Sequence, residues 1–252
     1  MPSKRIIARL DIKSDYVVKG LQFEGLRKVG DPRQLITKYC EDGADEILLN
    51  DVVASLYVRN NFFEIIKYVV ENLRVPLTVM GGIKSVDHAK RLFDTGADKI
   101  GINSHGFVDP KIYMKIAEIY GSQAIILSIE GKKLGPVDAY ECMTESGRNR
   151  THTNISQRLD FFKNSGAGEL FITSVDNDGM QSGPDLQLIK LISKEQKHPL
   201  IYGGGIRNYQ DVLCVFEEGF DACVIGSSLH YSKVSIQEIK SQLFSSEFEV
   251  RN

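Results

Sequence analysis

Three motifs return at a fixed distance along the chain, and this repetition constrains the fold more than any other feature. Gly43-Ala-Asp-Glu46 returns as Gly166-Ala-Gly-Glu169. Pro76-Leu-Thr-Val-Met-Gly-Gly-Ile-Lys84 returns as Pro199-Leu-Ile-Tyr-Gly-Gly-Gly-Ile-Arg207, and Gly96-Ala-Asp98 as Gly219-Phe-Asp221. The spacing is 123 positions each time (43 to 166, 76 to 199, 96 to 219). Leu10-Asp-Ile-Lys13 has a fainter partner in Ile129-Glu-Gly-Lys132, 119 positions on. Similarity of this kind, in one order, describes two copies of one structural unit.

The unit contains strands and helices in alternation. Short apolar runs at 6–10, 47–50, 77–80, 99–102, 124–129, 170–173, 200–202 and 223–225 are separated by amphipathic segments. Runs so uniformly apolar fit parallel strands buried on both faces. Asp31-Pro32 and Asp109-Pro110 have the form of an N-cap followed by proline in the first helical turn. Gly43, Gly96, Gly166 and Gly219 stand where helices stop before strands. Eight βα units allow an open doubly wound sheet or a closed barrel. Two repeats of four close naturally into eight, so the reading is one (β/α)8 barrel domain over 1–252, with half-barrels of about 1–122 and 123–252. The 252 residues match the usual size of that fold.

Composition excludes several classes. A net charge of −2 provides no general attraction to nucleic acid or anionic membrane. No apolar run approaches the roughly 20 residues that span a bilayer, and the opening MPSKRIIARLD is charged too early for a secretory signal. Cys40, Cys142, Cys214 and Cys223 show no paired spacing and read as reduced, buried thiols of a cytoplasmic protein. The five histidines lack metal-site spacing. No cofactor or metal is expected.

The repeat duplicates a binding device. Met80-Gly-Gly-Ile83 and Gly203-Gly-Gly-Ile206 each follow a strand and open a helix, where glycine lets backbone amides approach an anion. The next strands end in Ile102-Asn-Ser104 and Ile225-Gly-Ser-Ser228, which add small donors. Two such sets half a barrel apart suit an elongated substrate with two phosphates. Active sites of this fold lie at the carboxyl ends of strands. The acids there are Asp11, its repeat mate Glu130, and Asp178 in Ser174-Val-Asp-Asn-Asp-Gly179. Asp11 and Glu130 suit an acid and a base working across a central substrate. Asp51 and Asp176 are as readily loop caps. Lys19 lies in segment 12–30, longer than most βα loops, and is placed either to meet the substrate from a lid or to stand exposed without a role.

These residues resemble a family. Arg5-Ile-Ile-Ala-Arg-Leu-Asp-Ile-Lys13, Val18-Lys-Gly20, Gly30-Asp-Pro32, Gly43-Ala-Asp-Glu46, Gly121-Ser-Gln123 and Thr173-Ser-Val-Asp-Asn-Asp-Gly179 are similar to the cyclase subunit of imidazole glycerol phosphate synthase, over nearly the whole chain. The resemblance implies a (β/α)8 lyase of histidine biosynthesis that forms a heterodimer with a glutaminase. Ammonia from the glutaminase crosses the barrel and reacts with a bisphosphorylated ribulosyl intermediate, giving imidazole glycerol phosphate and aminoimidazole carboxamide ribotide. It implies Asp11 and Glu130 as catalytic residues. It implies Lys19, Gly82, Asn103, Ser104, Asp178, Gly179, Gly205, Gly226 and Ser227 as substrate and phosphate contacts. Arg5, Glu46, Lys99 and Glu169 match an ammonia gate, whose alternating charges can close a ring at the barrel's base. Asp98 and Gln123 match partner-docking positions.

The resemblance departs at four points. Glu130 stands for an aspartate, Arg9 for a small residue, Met80 interrupts a glycine triplet, and segment 132–153 diverges. Two further readings therefore stay open: a paralogue that channels ammonia to amidate another phosphorylated acceptor, such as a nucleotide sugar in surface polysaccharide synthesis, and a non-catalytic activator of a glutaminase.

Overall fold

The computed structural model describes residues 3–53, 60–135, 139–193, 198–244 and 248–250. Its twelve strands are β1 (Arg5–Lys13), β2 (Tyr16–Leu21), β3 (Glu24–Gly30), β4 (Glu46–Asp51), β5 (Leu77–Met80), β6 (Lys99–Ile102), β7 (Ile125–Lys133), β8 (Tyr140–Thr144), β9 (Asn149–Asn154), β10 (Glu169–Ser174), β11 (Leu200–Gly203) and β12 (Ala222–Ile225). Eight of them, in the order β1, β4, β5, β6, β7, β10, β11 and β12, pair in parallel and close on β1. The closed barrel expected from the repeat is therefore present.

Helices fill the connections: α1 (Pro32–Glu41), α2 (Asn60–Asn72), α3 (Val86–Thr95), α4 (His105–Val108), α5 (Ile112–Tyr120), α6 (Ile155–Phe162), α7 (Leu186–Ser193), α8 (Tyr209–Glu217), α9 (Ser227–His230) and α10 (Ile236–Leu243). Asp31 caps α1 as expected, accepting a hydrogen bond from the Gln34 amide at 3.1 Å with Pro32 in the first turn. Asp109 behaves differently. It accepts from the Lys111 amide at 3.1 Å, in the turn that joins α4 to α5, and α5 begins only at Ile112.

Strand pleating sorts the side chains. Along β1, Ile6, Ala8, Leu10 and Ile12 join the large core between barrel and helices, whereas Ile7 belongs to a separate cluster inside the barrel. That inner cluster is Ile7, Leu48, Met80, Ile126, Phe171, Ile201, Ala222 and Val224, all buried. Each large member contributes roughly 1.5–3 kcal/mol by leaving water. It forms an apolar plug midway along the axis, with charged residues at both ends.

Two antiparallel hairpins extend the barrel at its carboxyl end. Strands β2 and β3 continue from β1, and β8 and β9 continue from β7. The long segment 12–30, expected to be a lid loop, is the first of these hairpins. The divergent segment 132–153 forms the second, apart from residues 136–138, which lie outside the described residues. The hairpins spring from repeat-related strands and meet over the mouth, where Phe23 packs on Met143 and Val175.

Among the described residues, no helix is long and apolar enough to cross a membrane. All four cysteines are free thiols.

Candidate active site

The pleat that sends Ile7 inward also sends Arg9 and Asp11 inward, one and two steps nearer the mouth. Asp11 is 3% exposed and fully engaged. Its Oδ1 accepts from Arg9 Nε at 2.9 Å and Asn50 Nδ2 at 2.8 Å, and lies 2.8 Å from Arg9 Nη2. Its Oδ2 accepts from Lys19 Nζ at 3.2 Å. Burial alone raises a carboxyl's pKa, but the Arg9 guanidinium and the Lys19 ammonium prevail and hold Asp11 well below the usual range. Lys19 is not an exposed loop residue. The β2–β3 hairpin buries it, and it donates to Asp178 at 2.7 and 3.0 Å as well as to Asp11. The Phe23 ring lies 5.4 Å from the Arg9 guanidinium and 5.9 Å from Lys19 Nζ.

Glu130 ends the inward-facing row of β7. Burial pushes its carboxyl up to about 7, against the opposing pull of the Gly147 amide and Arg9. The amide donates to Oε2 at 2.7 Å. Two repeat-related acids thus differ in state near neutrality, Asp11 ionised and Glu130 poised between its two forms. That division is what paired acid and base roles require.

The first glycine turn faces a cavity of about 100 Å³ lined by Gly81, Gly82, Asn103, Ser104, Glu130 and Arg148, among others. The β8–β9 hairpin roofs it. Asn103 Nδ2 donates to the Met143 carbonyl at 3.2 Å, and Ser104 Oγ accepts from the Glu145 amide at 3.0 Å. The Asn103 Oδ1 atom is buried without a hydrogen-bond partner. His88 braces the turn from behind, its Nδ1 lying 3.1 Å from the Gly82 carbonyl.

The second glycine turn faces a tighter hollow of about 20 Å³, where Gly205, Gly226 and Ser227 meet Arg9, Lys19, Asp178 and Gly179. The two turns match in backbone. Gly81 and Gly82 have φ of 101° and 62°, and Gly204 and Gly205 have 108° and 84°. Each presses on the loop after the preceding strand. A Cβ on Gly81 would stand 2.3 Å from the Asp51 carbonyl oxygen, and one on Gly204 would stand 2.9 Å from that of Ser174. His230 packs behind the second turn, with Nδ1 2.7 Å from the Tyr39 hydroxyl, and burial pushes it down to about 4.

At the opposite end, four strands begin with charges that close a ring. Arg5 reaches Glu46 at 3.0 Å and Glu169 at 3.2 Å, and Lys99 reaches Glu46 at 3.3 Å and Glu169 at 3.1 Å. Thr78 Oγ1 also donates to Glu46. Asp98 and Gln123 are exposed on this side. Asp98 Oδ2 accepts from the Leu77 amide at 2.8 Å, as its repeat mate Asp221 does from Leu200 at 2.9 Å, so this contact also ties strands. Gln123 donates to the Tyr120 carbonyl at 3.3 Å.

Asp51 and Asp176 each accept a backbone amide, and Asp51 also lines the cavity at the first glycine turn. Asp51 Oδ1 accepts from the Val53 amide at 3.0 Å, and Asp176 Oδ2 from the Lys133 amide at 2.8 Å. Among the described residues no group of histidine, cysteine and carboxylate is placed to hold a metal. Sequence reasoning did not single out Asn50, His88 or Arg148. Arg148 and Asn50 come from outside the repeated motifs, and the histidine's local neighbours gave no spacing to read.

Comparison with known proteins bears on this arrangement. The family model described as "Histidine biosynthesis protein" matches residues 5–235. The chain belongs to the histidine biosynthesis protein family. Within it, the chain is 40% identical to the imidazole glycerol phosphate synthase subunit HisF of Bacillus pumilus over 244 residues, which is 96% of this chain and 97% of that protein. It is 42% identical to the HisF subunit of Legionella pneumophila over 214 residues, covering 84% of this chain and 99% of the relative. The Bacillus subtilis subunit is 38% identical over 244 residues, with 96% and 97% covered. The matched span, residues 5–235, takes in both ends of the barrel.

Proposed function

We propose that the chain is the ammonia-dependent cyclase subunit of an imidazole glycerol phosphate synthase. It converts a bisphosphorylated ribulosyl intermediate to imidazole glycerol phosphate and aminoimidazole carboxamide ribotide, with ammonia from a partner glutaminase. One observation carries this reading: a closed charged ring at one end of the barrel and two matched anion turns flanking two acids at the other, separated by an apolar plug. Neutral ammonia crosses an apolar passage at far smaller cost than ammonium, whose charge resists desolvation. The ring's alternating charges suit a gate, and Asp98 and Gln123 lie beside it for the glutaminase to dock.

The roles follow from the charge states. The phosphates rest on the turns at Gly82 and Gly205, with Asn103 and Ser104 at one end and Gly179, Gly226 and Ser227 at the other. Lys19 and Asp178 fix the middle. Addition of ammonia to a carbonyl carbon needs a proton delivered to oxygen and one removed from nitrogen. Glu130, titrating near neutrality, delivers the proton, and Asp11, held ionised, receives one. Purified protein given the ribulosyl intermediate and an ammonium salt at mildly alkaline pH is expected to form imidazole glycerol phosphate. Absence of turnover by this chain, with a known cyclase active in the same assay, rejects the reading.

Arg9 favours a second reading. A buried guanidinium on the inner face of β1 reshapes the space beside Asp11, as an acceptor of different form requires. The chain then amidates another phosphorylated compound, such as a nucleotide sugar, with the same ammonia route. Complementation of a histidine auxotroph that lacks its cyclase excludes this alternative.

A further inference from the structure

Arg9 grips Asp11 in an unusual way. A guanidinium and a carboxylate normally pair as two forks, each nitrogen on its own oxygen. Here Nε and Nη2 both converge on Oδ1, where Asn50 also donates, and Oδ2 is left to Lys19. The same Arg9 lines the hollow under the Gly203-Gly-Gly-Ile206 turn, together with Lys19. Its guanidinium is therefore placed between a carboxylate it fits poorly and the glycine turn of the second cradle. A phosphate monoester carries two negative charges and three oxygens that match the fork.

We propose that Arg9 is an arm of the second anion cradle, and that a phosphate docked on the 203–205 turn draws the guanidinium away from Asp11 and frees that carboxylate to act as a base. Arg9 and Lys19 both bear on Asp11, and a carboxylate so stabilised is a weak base. The group becomes a competent base only when the substrate's phosphate arrives. The groups around this pair support the balance. Arg9 on its own strand, Lys19 on β2 and His230, held neutral by burial, on α9 bear on Asp11, while Asp178 after β10 and Glu130 on β7 bear on Arg9, and Asp178 also accepts from Lys19. Arg9 and Lys19 are shared between Asp11 and Asp178, and an anion on the turn competes for both cations. Arg9 is in this account a positioning residue for Asp11 and a specificity residue for a phosphate at that end. The inference rests on the proposed function in taking the second turn as a phosphate site and Asp11 as the base.

Inorganic phosphate is the probe. Its binding is followed through the backbone amide signals of Gly204 and Gly205, with Gly81 and Gly82 reporting the first turn in the same titration. Arg9→Met is expected to weaken binding at the second turn by about tenfold or more, the value of a charge-assisted hydrogen bond, and to leave the first turn unchanged. Asp11→Asn releases both cations and is expected to tighten binding there by about tenfold, because coupling between two sites is reciprocal. In the double variant, the tightening by Asp11→Asn shrinks to less than about threefold, since there is no longer a guanidinium to release. Saturating phosphate also raises the Asp11 carboxyl titration observed by carbon NMR in the wild-type protein. A merely structural Arg9 gives the opposite pattern, with both single variants weakening phosphate binding or neither changing it, and that result overturns the proposal. If Arg9→Met fails to fold, Asp11→Asn and Arg9→Lys carry the test, the lysine keeping charge but losing the fork. Absence of phosphate binding at both turns overturns the two-phosphate reading along with this one, whereas binding that is indifferent to Arg9 overturns this one alone.

Discussion

Asp11 and Glu130 hold equivalent places in the two half-barrels, yet their surroundings set them apart. Arg9, Lys19 and Asn50 converge on the aspartate, while the glutamate receives one backbone amide. The consequence is measurable in stability as well as rate. Native Glu130 keeps its proton up to about pH 7, and an unfolded glutamate loses it near 4.5. Between those values the native state binds more protons, so wild-type stability falls as pH rises through the window. Glu130→Gln removes this dependence. Relative to wild type, the variant is expected to gain about 2–3 kcal/mol between pH 4 and pH 8 in urea unfolding, and unchanged curves at both pH values reject the raised carboxyl. The identity of these acids was legible in the sequence, because the repeat pairs Leu10-Asp with Ile129-Glu. Their difference in state was not. It depends on the burial of both acids and on Arg9, Lys19 and Asn50, which the closed barrel and its first hairpin bring alongside Asp11.

The elements show the same division. The eight barrel strands could be read because burial on both faces leaves continuous apolar runs. β2, β3, β8 and β9 could not, for two physical reasons. β3 and β9 are exposed along most of their length and mostly polar, as Asn-Arg-Thr-His-Thr-Asn shows, while β2 and β8 are buried yet carry the charged Lys19 and Glu141. Their turns also lack the usual signal. Gln22 and Phe23 turn the first hairpin with φ of 52° and 65°, and Glu145 and Ser146 turn the second with 54° and 59°, where Asn-Gly is the usual choice. The glycine turns, by contrast, were legible because no other residue fits them. A prediction separates fit from conformation. Gly219 has φ of 92° and open space around it, so Gly219→Ala costs only the backbone penalty, about 1 kcal/mol. Gly81→Ala adds a clash with the Asp51 backbone and is expected to cost about 3 kcal/mol or more in urea unfolding. Equal costs for the two variants contradict the close approach of turn and loop.

The charged ring belongs to the molecule as a whole, since residues 5, 46, 99 and 169 meet only when the barrel closes. Net charge could not reveal it, because two cations and two anions cancel. The sequence showed only that four strands begin with charges. Ring geometry makes these pairs more than surface decoration. Glu46 has a side chain only 2% exposed, and Lys99 and Glu169 are 18% and 13% exposed, so water and salt screen them incompletely. Loss of Lys99 leaves Glu46 and Glu169 to share Arg5, with one carboxylate charge in excess. Lys99→Met is therefore expected to cost about 1–3 kcal/mol, between the values of an exposed and a buried pair. If the four act as a unit, adding Glu169→Gln restores charge balance and recovers at least half of that loss, leaving Arg5 and Glu46 as an intact pair. Independent surface pairs behave otherwise. Each single variant then costs less than about 0.5 kcal/mol and the double variant costs their sum. Urea unfolding of the wild type, the two single variants and the double variant distinguishes the cases, and additivity rejects the ring.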